Sequence, residues 1–489
     1  MIRRALLALA LLAAPLAAQT TVSFDSTETV YASGPKIVRA GLSKGKGTSG
    51  DGVATDWVAG TVGMWDLGNT RELIKGGYDL VPLDNDFYRR TASVPFTTSG
   101  FWGVCWFNTD VATLGQVLFT LTDGTDLQAY TVGITVTTGT VYAEAVATTP
   151  EVATTTGAIA AARWQCVIFF FASSTSRGVY LDTDTTGATN TNSKAPATST
   201  NVTLGRDHAG LLKFDGLLGS TWLFSGTVPG TAARAAIFAG GDPEIVAAQQ
   251  ATALWKLDND DGADSRGSFA LTASGTPVAA NSIAVVRDLS GGGRHMKGAA
   301  ATPTWSASVG NGQGGGVFLA ASTQRLLINS TPVTGAPFQV YAVAQVNDVT
   351  AAHCVFNLGD KDVNDNDQWM LAFRGDSSDQ NWWVARDDAG NGIGTTTGTF
   401  VADTNYLLWG LEASATSRTC ERNGGATGTD TTSKTPDLAD TLSIGAKSDS
   451  TPDQFLDGEI HFVLLLDTAS TANQARIEKI LSNPYGFGF

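Results

Sequence analysis

Short apolar runs bounded by glycine, proline and asparagine recur along the whole chain, and they indicate the expected secondary structure. Residues 101–107 and 340–346 are two such runs, and each is preceded closely by a Pro-Phe pair. Asn-Gly pairs after several runs favour tight turns, because a positive φ costs these residues little conformational free energy. Two short alanine-rich stretches, 232–238 and 472–481, have a helical pattern. The pattern predicts an all-β protein, with a short helix closing each half.

The second half of the chain repeats landmarks of the first half in the same order, at a shift of about 240 residues. A fixed period of this kind indicates a duplicated unit. The matched landmarks are Pro95-Phe96 with Pro337-Phe338, Ser176-Arg177 with Ser417-Arg418, Ser193-Lys194 with Ser433-Lys434, Leu204-Gly205 with Ile444-Gly445, and Phe214-Asp215-Gly216 with Phe455, Asp457 and Gly458. We therefore expect two β-sandwiches, at 61–243 and 244–489. Residues 19–60 have no counterpart and are interpreted as an N-terminal arm or an added strand.

The composition supports this fold class and excludes some partners. Glycine is abundant, with 55 residues, and only 16% of residues are charged, which is typical of short strands and tight turns. The net charge of −15 would repel nucleic acid and anionic membrane surfaces. Acidity of this kind also keeps a weakly charged surface soluble.

Residues 1–18 have the pattern of a secretory signal peptide. Arg3 and Arg4 precede an apolar run, and Ala17-Ala18 stands at a suitable cleavage position. The run is too short to cross a bilayer, so we expect secretion or display on the outer cell surface without membrane insertion. An uncleaved apolar arm in a virion or other particle is the alternative interpretation.

The landmarks resemble the laminin-G-like, concanavalin-A-like family of jelly-roll domains in two tandem copies. Trp255-Lys256-Leu257-Asp258 with Asp264-Ser265 resembles the opening strand and turn of that family, and Asp288-Leu289 resembles its next turn. Trp65-Asp66-Leu67 in the first half looks like Asp288-Leu289 in the second. The resemblance implies a β-sandwich fold but leaves function open, because the family includes glycan binders, adhesion modules, hydrolase appendages and virion proteins.

Four cysteines fall two in each half of the chain. An oxidising compartment allows one disulfide per domain, Cys105 with Cys166 and Cys354 with Cys420. Buried free thiols are the equally weighted alternative.

No catalytic motif is evident in the sequence. A glucanase on this fold needs carboxylates at alternate positions of one strand, and no Glu-x-Asp-x-Glu triplet occurs. The four histidines are scattered outside any hydrolase motif. We therefore expect no enzymatic activity.

Two segments of the second half carry candidate ligand-binding residues. Asp360, Asp362 and Asn364 resemble the start of a calcium loop, but Asp365 stands where that loop needs glycine, so calcium is a possible cofactor only at a smaller site. Trp382 and Trp383 are neighbours on a predicted strand and must point to opposite faces. One of them is expected to be exposed, with Trp369 and Arg386 nearby, where it would stack on a sugar or cover an interface.

The sequence thus predicts a non-catalytic extracellular binding or adhesion protein whose partner is a glycan or protein ligand on a cell surface. The first alternative is a structural subunit of a virion or surface assembly that packs against copies of itself. The second alternative is an accessory module of a polysaccharide hydrolase.

Overall fold

The computed structural model describes residues 61–481 apart from short gaps. The gaps are residues 68–72, 76–77, 183, 258–261, 291–293, 300, 310–313, 363–366, 376–379, 389, 396–398, 426, 438, 449–450, 473, 476 and 479–480. The predicted signal peptide at 1–18 and the arm at 19–60 therefore lie outside the described residues.

The described residues form strands joined by tight turns, with few helical segments. The strands of the first part of the chain are β1 (Thr61–Asp66), β2 (Leu73–Lys75), β3 (Tyr78–Leu80), β4 (Phe87–Thr91), β5 (Phe101–Thr109), β6 (Gln116–Thr122), β7 (Gln128–Ile134), β8 (Thr140–Ala147), β9 (Thr149–Ala158), β10 (Gln165–Ser173), β11 (Ser176–Leu181), β12 (Asp184–Asn190), β13 (Asn201–Leu204), β14 (Gly216–Ser225), β15 (Ala253–Trp255), β16 (Thr272–Ser274) and β17 (Val278–Ala279). Those of the second part are β18 (Ile283–Val286), β19 (Met296–Gly298), β20 (Thr304–Ser306), β21 (Gly315–Phe318), β22 (Leu326–Ile328), β23 (Phe338–Val346), β24 (Ala352–Gly359), β25 (Gln368–Arg374), β26 (Gln380–Asp387), β27 (Gly390–Thr395), β28 (Thr404–Ser414), β29 (Ser417–Arg422), β30 (Gly428–Asp430), β31 (Thr441–Ile444) and β32 (Gly458–Leu466). Two α-helices lie in the described part of the first sandwich, α1 (Thr231–Phe238) and α2 (Pro243–Ala247), and single 3-10 turns lie at Pro82–Asp84 and Ala320–Ser322.

The strands form two sandwiches, each made of two antiparallel sheets. In the first sandwich, sheet 1A has the order β12-β11-β10-β5-β14-β3-β17, with β15 also on β14, and sheet 1B has the order β16-β4-β13-β6-β7-β8-β9. In the second, sheet 2A has the order β20-β21-β32-β23-β28-β29-β30, with β1 on β32, and sheet 2B has the order β2-β18-β19-β22-β31-β24-β25-β26-β27. The all-β sandwich prediction is confirmed.

The two sandwiches repeat each other at the level of single hydrogen bonds. The Phe214 amide donates to the Gly205 carbonyl, and the Leu456 amide donates to the Gly445 carbonyl, both at 2.8 Å. Phe214 and Leu456 are fully buried. The residue equivalent to Phe214 is therefore Leu456, one position after the Phe455 that the sequence comparison selected.

The opening strands of the two sandwiches do not follow the predicted boundary after Pro243. β15, β16 and β17 pair with β14, β4 and β3 of the first sandwich. β1 pairs with β32, and β2 pairs with β18, in the second sandwich. The first sandwich therefore occupies residues 78–279 and is inserted into the second, which consists of residues 61–75 and 283–481. Backbone pairing and core contacts decide this arrangement, and the landmark order does not reveal it.

Trp65-Asp66-Leu67 and Asp288-Leu289 are consequently partners in one sandwich and not equivalents in two. The Leu289 amide donates to the Met64 carbonyl at 2.8 Å, and the Met64 amide donates to the Asp288 carboxylate at 3.1 Å. The indole of Trp65 donates to the Arg294 carbonyl at 2.9 Å. These bonds fasten β1 to the turn after β18.

The two sandwiches meet along the outer face of sheet 1A. Four tryptophans of that face pack with α1, α2 and Ala284 and Val285 of β18; they are Trp102, Trp106, Trp164 and Trp222. Polar contacts cross the same seam. The indole of Trp164 donates to the Ser282 hydroxyl at 3.0 Å, and Lys297 lies 3.5 Å from the buried carboxylate of Asp182. Apolar burial, together with these two polar contacts, makes this a packed contact between the sandwiches.

All four cysteines are buried free thiols, so the predicted disulfides are wrong. Cys105 pairs with Val167 in the β5–β10 register and faces the core, while Cys166 lies at the next position and faces the seam. Cys354 lies on the outer face of sheet 2B, and Cys420 faces the core from sheet 2A. Because successive strand residues point to opposite faces, neither pair can be bridged without moving the backbone.

Candidate functional site

The aromatic site predicted on the second sandwich is divided between its two faces. Trp369 and Trp383 point into the core, where both contact Phe338 at ring distances of 5.3 and 5.6 Å. Trp382 lies on the outer face of sheet 2B, half-buried, with the guanidinium of Arg374 4.1 Å from its ring centroid. Arg386 lies on that outer face too, because it is four positions after Trp382 on β26. The four predicted ligand residues are therefore not brought together.

The surface around Trp382 is mostly apolar. Its neighbours on the outer face are buried to at least 96%; they are Cys354, Met370, Ala372 and Val384. A sugar site needs several polar groups beside its aromatic ring to fix the hydroxyls. This face offers few of them.

The predicted calcium residues contribute to a small acidic cluster. Ligand atoms of Asp360, Asp362 and Asp440 lie within 4.8 Å of one another, and Asn364 is outside the described residues. The Lys361 ammonium contacts the carboxylates of both Asp362 and Asp440. A protein cation thus already contacts two of the three carboxylates that would hold a calcium ion, and calcium binding stays a prediction.

A row of polar side chains crosses the outer face of sheet 1B in the first sandwich. Its members are direct cross-strand partners on the adjacent strands β4, β13, β6, β7 and β8; they are Arg89, Thr203, Thr120, Thr131 and Glu144. Their neighbours along each strand belong to the core, so strand alternation places the row on the outside. At the usual spacing of strands, the polar row is roughly 19 Å long.

The loop of residues 206–213 folds over the Arg89 end of the polar row. The carboxylate of Asp126 accepts hydrogen bonds from the amides of His208 and Ala209, both at 2.8 Å. Arg89 donates to the Thr203 hydroxyl at 3.2 Å and to the His208 carbonyl at 3.1 Å. These bonds hold the loop against the sheet and leave β7 and β8 at its edge. The threonines beneath are buried, with Thr203 and Thr120 each 1% exposed.

Three groups of this region have no side-chain hydrogen bond or ion pair among the described residues. The hydroxyl of Thr120 is fully buried without a partner. Glu144 is half-buried, and burial raises its pKa because no cation compensates the lost hydration. Burial, and then the nearby carboxylates of Glu144 and Asp207, raises the pKa of Tyr142, whose ring lies against Gly133.

Buried polar groups in native proteins nearly always have partners, and the carboxylate of Glu144 and the hydroxyl of neighbouring Tyr142 have none among the described residues. The arrangement is suited to bind a polar molecule that brings both hydrogen-bond donors and acceptors. Chemically, the Tyr142 hydroxyl donates or accepts, and the carboxylate accepts.

The equivalent row of the second sandwich is apolar or internally satisfied. Its members are Leu327, Ser443, Asn357, Met370 and Val384. The amide group of Asn357 donates to Gln368 at 3.0 Å and accepts from the Ser448 backbone at 2.9 Å. The two sandwiches have therefore diverged at this face, and the first one carries the uncommitted polar groups.

The sequence analysis does not predict the polar row. Each strand contributes one member, and a threonine flanked by apolar residues looks the same whether it faces water or a ligand. The signal present in the sequence was one polar residue between apolar neighbours in each strand, Thr120 in β6, Thr131 in β7 and Glu144 in β8, and only the strand register assembles them into a row.

A family model for the concanavalin A-like lectin/glucanases superfamily matches residues 83–233. The predicted resemblance is confirmed: this region is laminin-G-like. The match covers β4 to β14 and the start of α1. The laminin-G-like region therefore contains the whole polar row, while β15 to β17, which complete both sheets, lie beyond the matched residues.

Several solved structures are similar to parts of the chain. The mouse laminin alpha1 chain domains LG4-5 match with 9% identity and a TM-score of 0.29, over 81% of this chain and 91% of that one. The Ruminococcus gnavus IT-sialidase CBM40 matches with 10% identity and a TM-score of 0.26, over 29% of this chain and 81% of that one. The NanB sialidase from Streptococcus pneumoniae matches with 15% identity and a TM-score of 0.27, over 30% of this chain and 24% of that one.

The chain thus spans about a quarter of the length of that sialidase. Identities and TM-scores of this size do not carry any activity over to this chain. No curated protein matches the sequence. Within the described residues, no helix has the length and apolar character needed to span a bilayer.

Proposed function

We propose that this laminin-G-like protein is an exported, non-catalytic carbohydrate-binding protein whose binding site includes the polar row of the first sandwich. The observation that carries the proposal is the pair of uncommitted groups at the β8 end of that row, the hydroxyl of Tyr142 and the carboxylate of Glu144. Sugar hydroxyls both donate and accept hydrogen bonds, so they are suitable partners for both groups.

The position of these groups also supports ligand binding. Tyr142 and Glu144 lie at alternate positions of β8 and therefore share one face, at the edge of the 206–213 loop. The Tyr142 ring lies over Gly133, where a side chain would collide with it, since a Cβ at Gly133 would come within 2.6 Å of the Tyr142 hydroxyl oxygen. Glycine at this position leaves room for the Tyr142 ring, which remains 8% exposed beside Glu144.

The test is binding of soluble glycans to the full chain, with a glycan array for screening and titration calorimetry for affinity. We expect Tyr142→Phe and Glu144→Ala each to weaken binding at least tenfold. Neither side chain has a hydrogen-bond or ion-pair partner among the described residues, so the free energy of unfolding should not fall in these variants. Trp382→Ala in the second sandwich is the matched control and should leave affinity unchanged. Unaltered affinity in both first-sandwich variants would remove the site assignment.

The absence of catalysis is tested separately. Incubation of the protein with each bound polysaccharide should release no new reducing ends. Release that is lost in Glu144→Gln would instead identify an enzyme with Glu144 in its site.

Exposed apolar side chains favour a second candidate function, self-assembly. Leu83 is 95% exposed and Leu211 is 82% exposed, and a hydrogen bond of 3.0 Å from Lys213 to the Pro82 carbonyl holds their loops together. Exposed apolar surface of this kind often marks a protein contact. Light scattering should show a monomer or small oligomer if glycan binding is the main function. A large regular particle that dissociates in the Leu83→Ser, Leu211→Ser double variant would support the assembly subunit.

A further inference from the structure

The cationic side chains at the polar row are already committed to the protein itself. Arg89 donates to Thr203 and to the His208 carbonyl. The guanidinium of Arg206 stacks 4.0 Å from the ring centroid of Phe87 and donates to Asn85 and to the His208 carbonyl at 3.1 and 3.2 Å. Neither arginine has Glu144 as an ion-pair partner. Their task is to hold the 206–213 loop, so they are not free to bind an anionic ligand.

The acidic side chains near the row differ in this respect. Asp126 is used by two backbone amides, and Asp207 accepts from the Leu211 amide at 2.8 Å. Glu144 has no side-chain hydrogen bond or ion pair with any described residue, and it is half-buried. Removing a carboxylate from water without a compensating partner costs free energy, so the fold retains an unfavourable group at this position.

We propose that the ligand of the first sandwich carries a protonated amine that pairs with Glu144, and that the ligand class is an amino-sugar polymer with free amino groups. The inference rests on the proposed carbohydrate-binding function and names its substrate class. The hydroxyl of Tyr142 then binds a sugar hydroxyl, and the carboxylate of Glu144 supplies the counter-ion. Burial removes part of the hydration of the Glu144 carboxylate, and an ammonium group of the ligand would compensate for that loss with a charge-assisted hydrogen bond.

The electrostatics around Glu144 agree with this ligand class. The charged groups that act on neighbouring Tyr142 are the carboxylates of Glu144 and Asp207, both negative. The whole chain has a net charge of −15. A cationic polymer is attracted by this field, whereas an anionic polysaccharide is repelled.

The experiment compares three hexasaccharides of the same length on the full chain by titration calorimetry in slightly acidic buffer. The probes are a β-1,4-linked glucosamine hexamer, its fully N-acetylated form and a β-1,4-linked glucose hexamer. The wild type should bind the free amine at least tenfold more tightly than the other two. Glu144→Gln should remove this preference and keep weak, equal binding of all three, because the hydroxyl contacts remain.

Glu151→Gln is the matched control for the change of charge. Glu151 lies on β9, next to β8, and its carboxylate is engaged with Asn192 at 2.7 Å. This variant should keep the preference for the free amine. Added salt should weaken wild-type binding of the glucosamine hexamer and leave binding of the glucose hexamer unchanged, as expected for an ion pair at a partly exposed site.

Each other result decides against the inference in a distinct way. Equal wild-type affinity for the free and acetylated hexamers, or a preference that survives in Glu144→Gln, overturns the amine proposal and leaves carbohydrate binding intact. Binding of none of these hexamers or of any glycan on the array overturns both proposals.

Discussion

Trp65 and Trp255 occupy the same position in opposite sandwiches. Trp65 pairs with Val463 on β32, and Trp255 pairs with Thr221 on β14, five residues after the first glycine of each strand. Each indole then donates to a backbone carbonyl, at 2.9 Å for Trp65 and 2.7 Å for Trp255. Each half of the chain therefore supplies an opening strand that completes the sandwich formed mainly by the other half.

Replacing either tryptophan should destabilise the sandwich in which it is buried. Both side chains are fully buried, and loss of a buried tryptophan costs about 3–5 kcal/mol. We expect Trp65→Ala to increase amide hydrogen exchange in β23 and β32, and Trp255→Ala to increase it in β5 and β14. Hydrogen exchange with mass spectrometry resolves the two sets of strands. The reverse pattern, with Trp65→Ala loosening the first sandwich, would contradict the insertion.

Excised fragments provide a second check of the domain organisation. A fragment of residues 78–279 contains every strand of the first sandwich, whereas a fragment of residues 61–243 lacks β15 to β17 and the Trp255 side chain. The first fragment should unfold cooperatively in urea. The second should be aggregated or only partly folded, because β14 and β4 lose neighbours and the core loses a large side chain. Equal cooperativity of the two fragments would favour the boundary after Pro243.

The local sequence pattern predicts the fold class and the repeat, but it does not predict that the two sandwiches exchange their opening strands. The apolar runs and turns determine which residues become strands and which face of each strand is buried. They do not determine the partner, because β1 and β15 have nearly the same pattern and each would fit either sandwich. The choice depends on pairing across hundreds of residues, with the Asp288 turn beside Trp65 and the Asp264 turn beside Trp255.

The equivalent arginines Arg177 and Arg418 should differ in their contribution to stability. Both are 1% exposed and both donate to a turn carbonyl, that of Ser174 or Ala415. Arg418 also pairs with the buried carboxylate of Glu412 at 3.1 Å, whereas Arg177 has Phe171 as its cross-strand neighbour.

Arg418→Ala leaves Glu412 buried without its cation, which costs about 3–5 kcal/mol. Arg177→Ala leaves only neutral groups unsatisfied, at about 1–3 kcal/mol. Urea unfolding of each variant measures the difference. A combined Glu412→Gln, Arg418→Met variant should recover much of the loss, and failure to recover would show that the charge itself is not the cause.

His295 should make the stability of the second sandwich decrease in mild acid. Burial lowers the pKa of His295 to about 4, and its Nδ1 accepts a hydrogen bond from the Asp288 amide at 3.0 Å, which requires the neutral ring. The unfolded chain binds the proton at its ordinary pKa near 6.5. The stabilisation is therefore complete above pH 6.5 and is lost as the pH falls toward 4, by about 3 kcal/mol at most.

The free energy of unfolding, measured across that pH range, should fall more steeply in the wild type than in His295→Asn, which retains an acceptor but does not titrate. Parallel curves for the two proteins would show that His295 does not cause the effect.

The thiols should be unreactive in the folded protein. Burial raises the pKa of Cys105 and of Cys420 to about 12, so little thiolate is present at neutral pH. A maleimide reagent should label no cysteine in the native protein and four in denaturant, without prior reduction. Two or fewer labels in denaturant, rising to four after reduction, would indicate a disulfide.

The candidate site was harder to predict than the fold for a physical reason. The sequence predicts a ligand site at Trp382 and Trp383 because two adjacent large aromatic residues are conspicuous. Trp383 is nevertheless a core residue whose indole donates to Glu412 at 3.0 Å. Glu144 does not stand out, and its importance depends on the absence of an ion-pair partner among the described residues, which only three-dimensional packing reveals.

The pairing of β1 with β32 also constrains how the protein is made. β1 is synthesised before the entire first sandwich, and its partner strand is complete only when Leu466 has been added. During that interval the first sandwich can fold on the emerging chain, while β1 presents an unpaired edge. Premature termination before β32 therefore yields a folded first sandwich with an exposed strand at its start, a product well suited to recognition by chaperones and proteases. The long-range pairing thus makes completion of the second sandwich depend on synthesis of nearly the whole described chain.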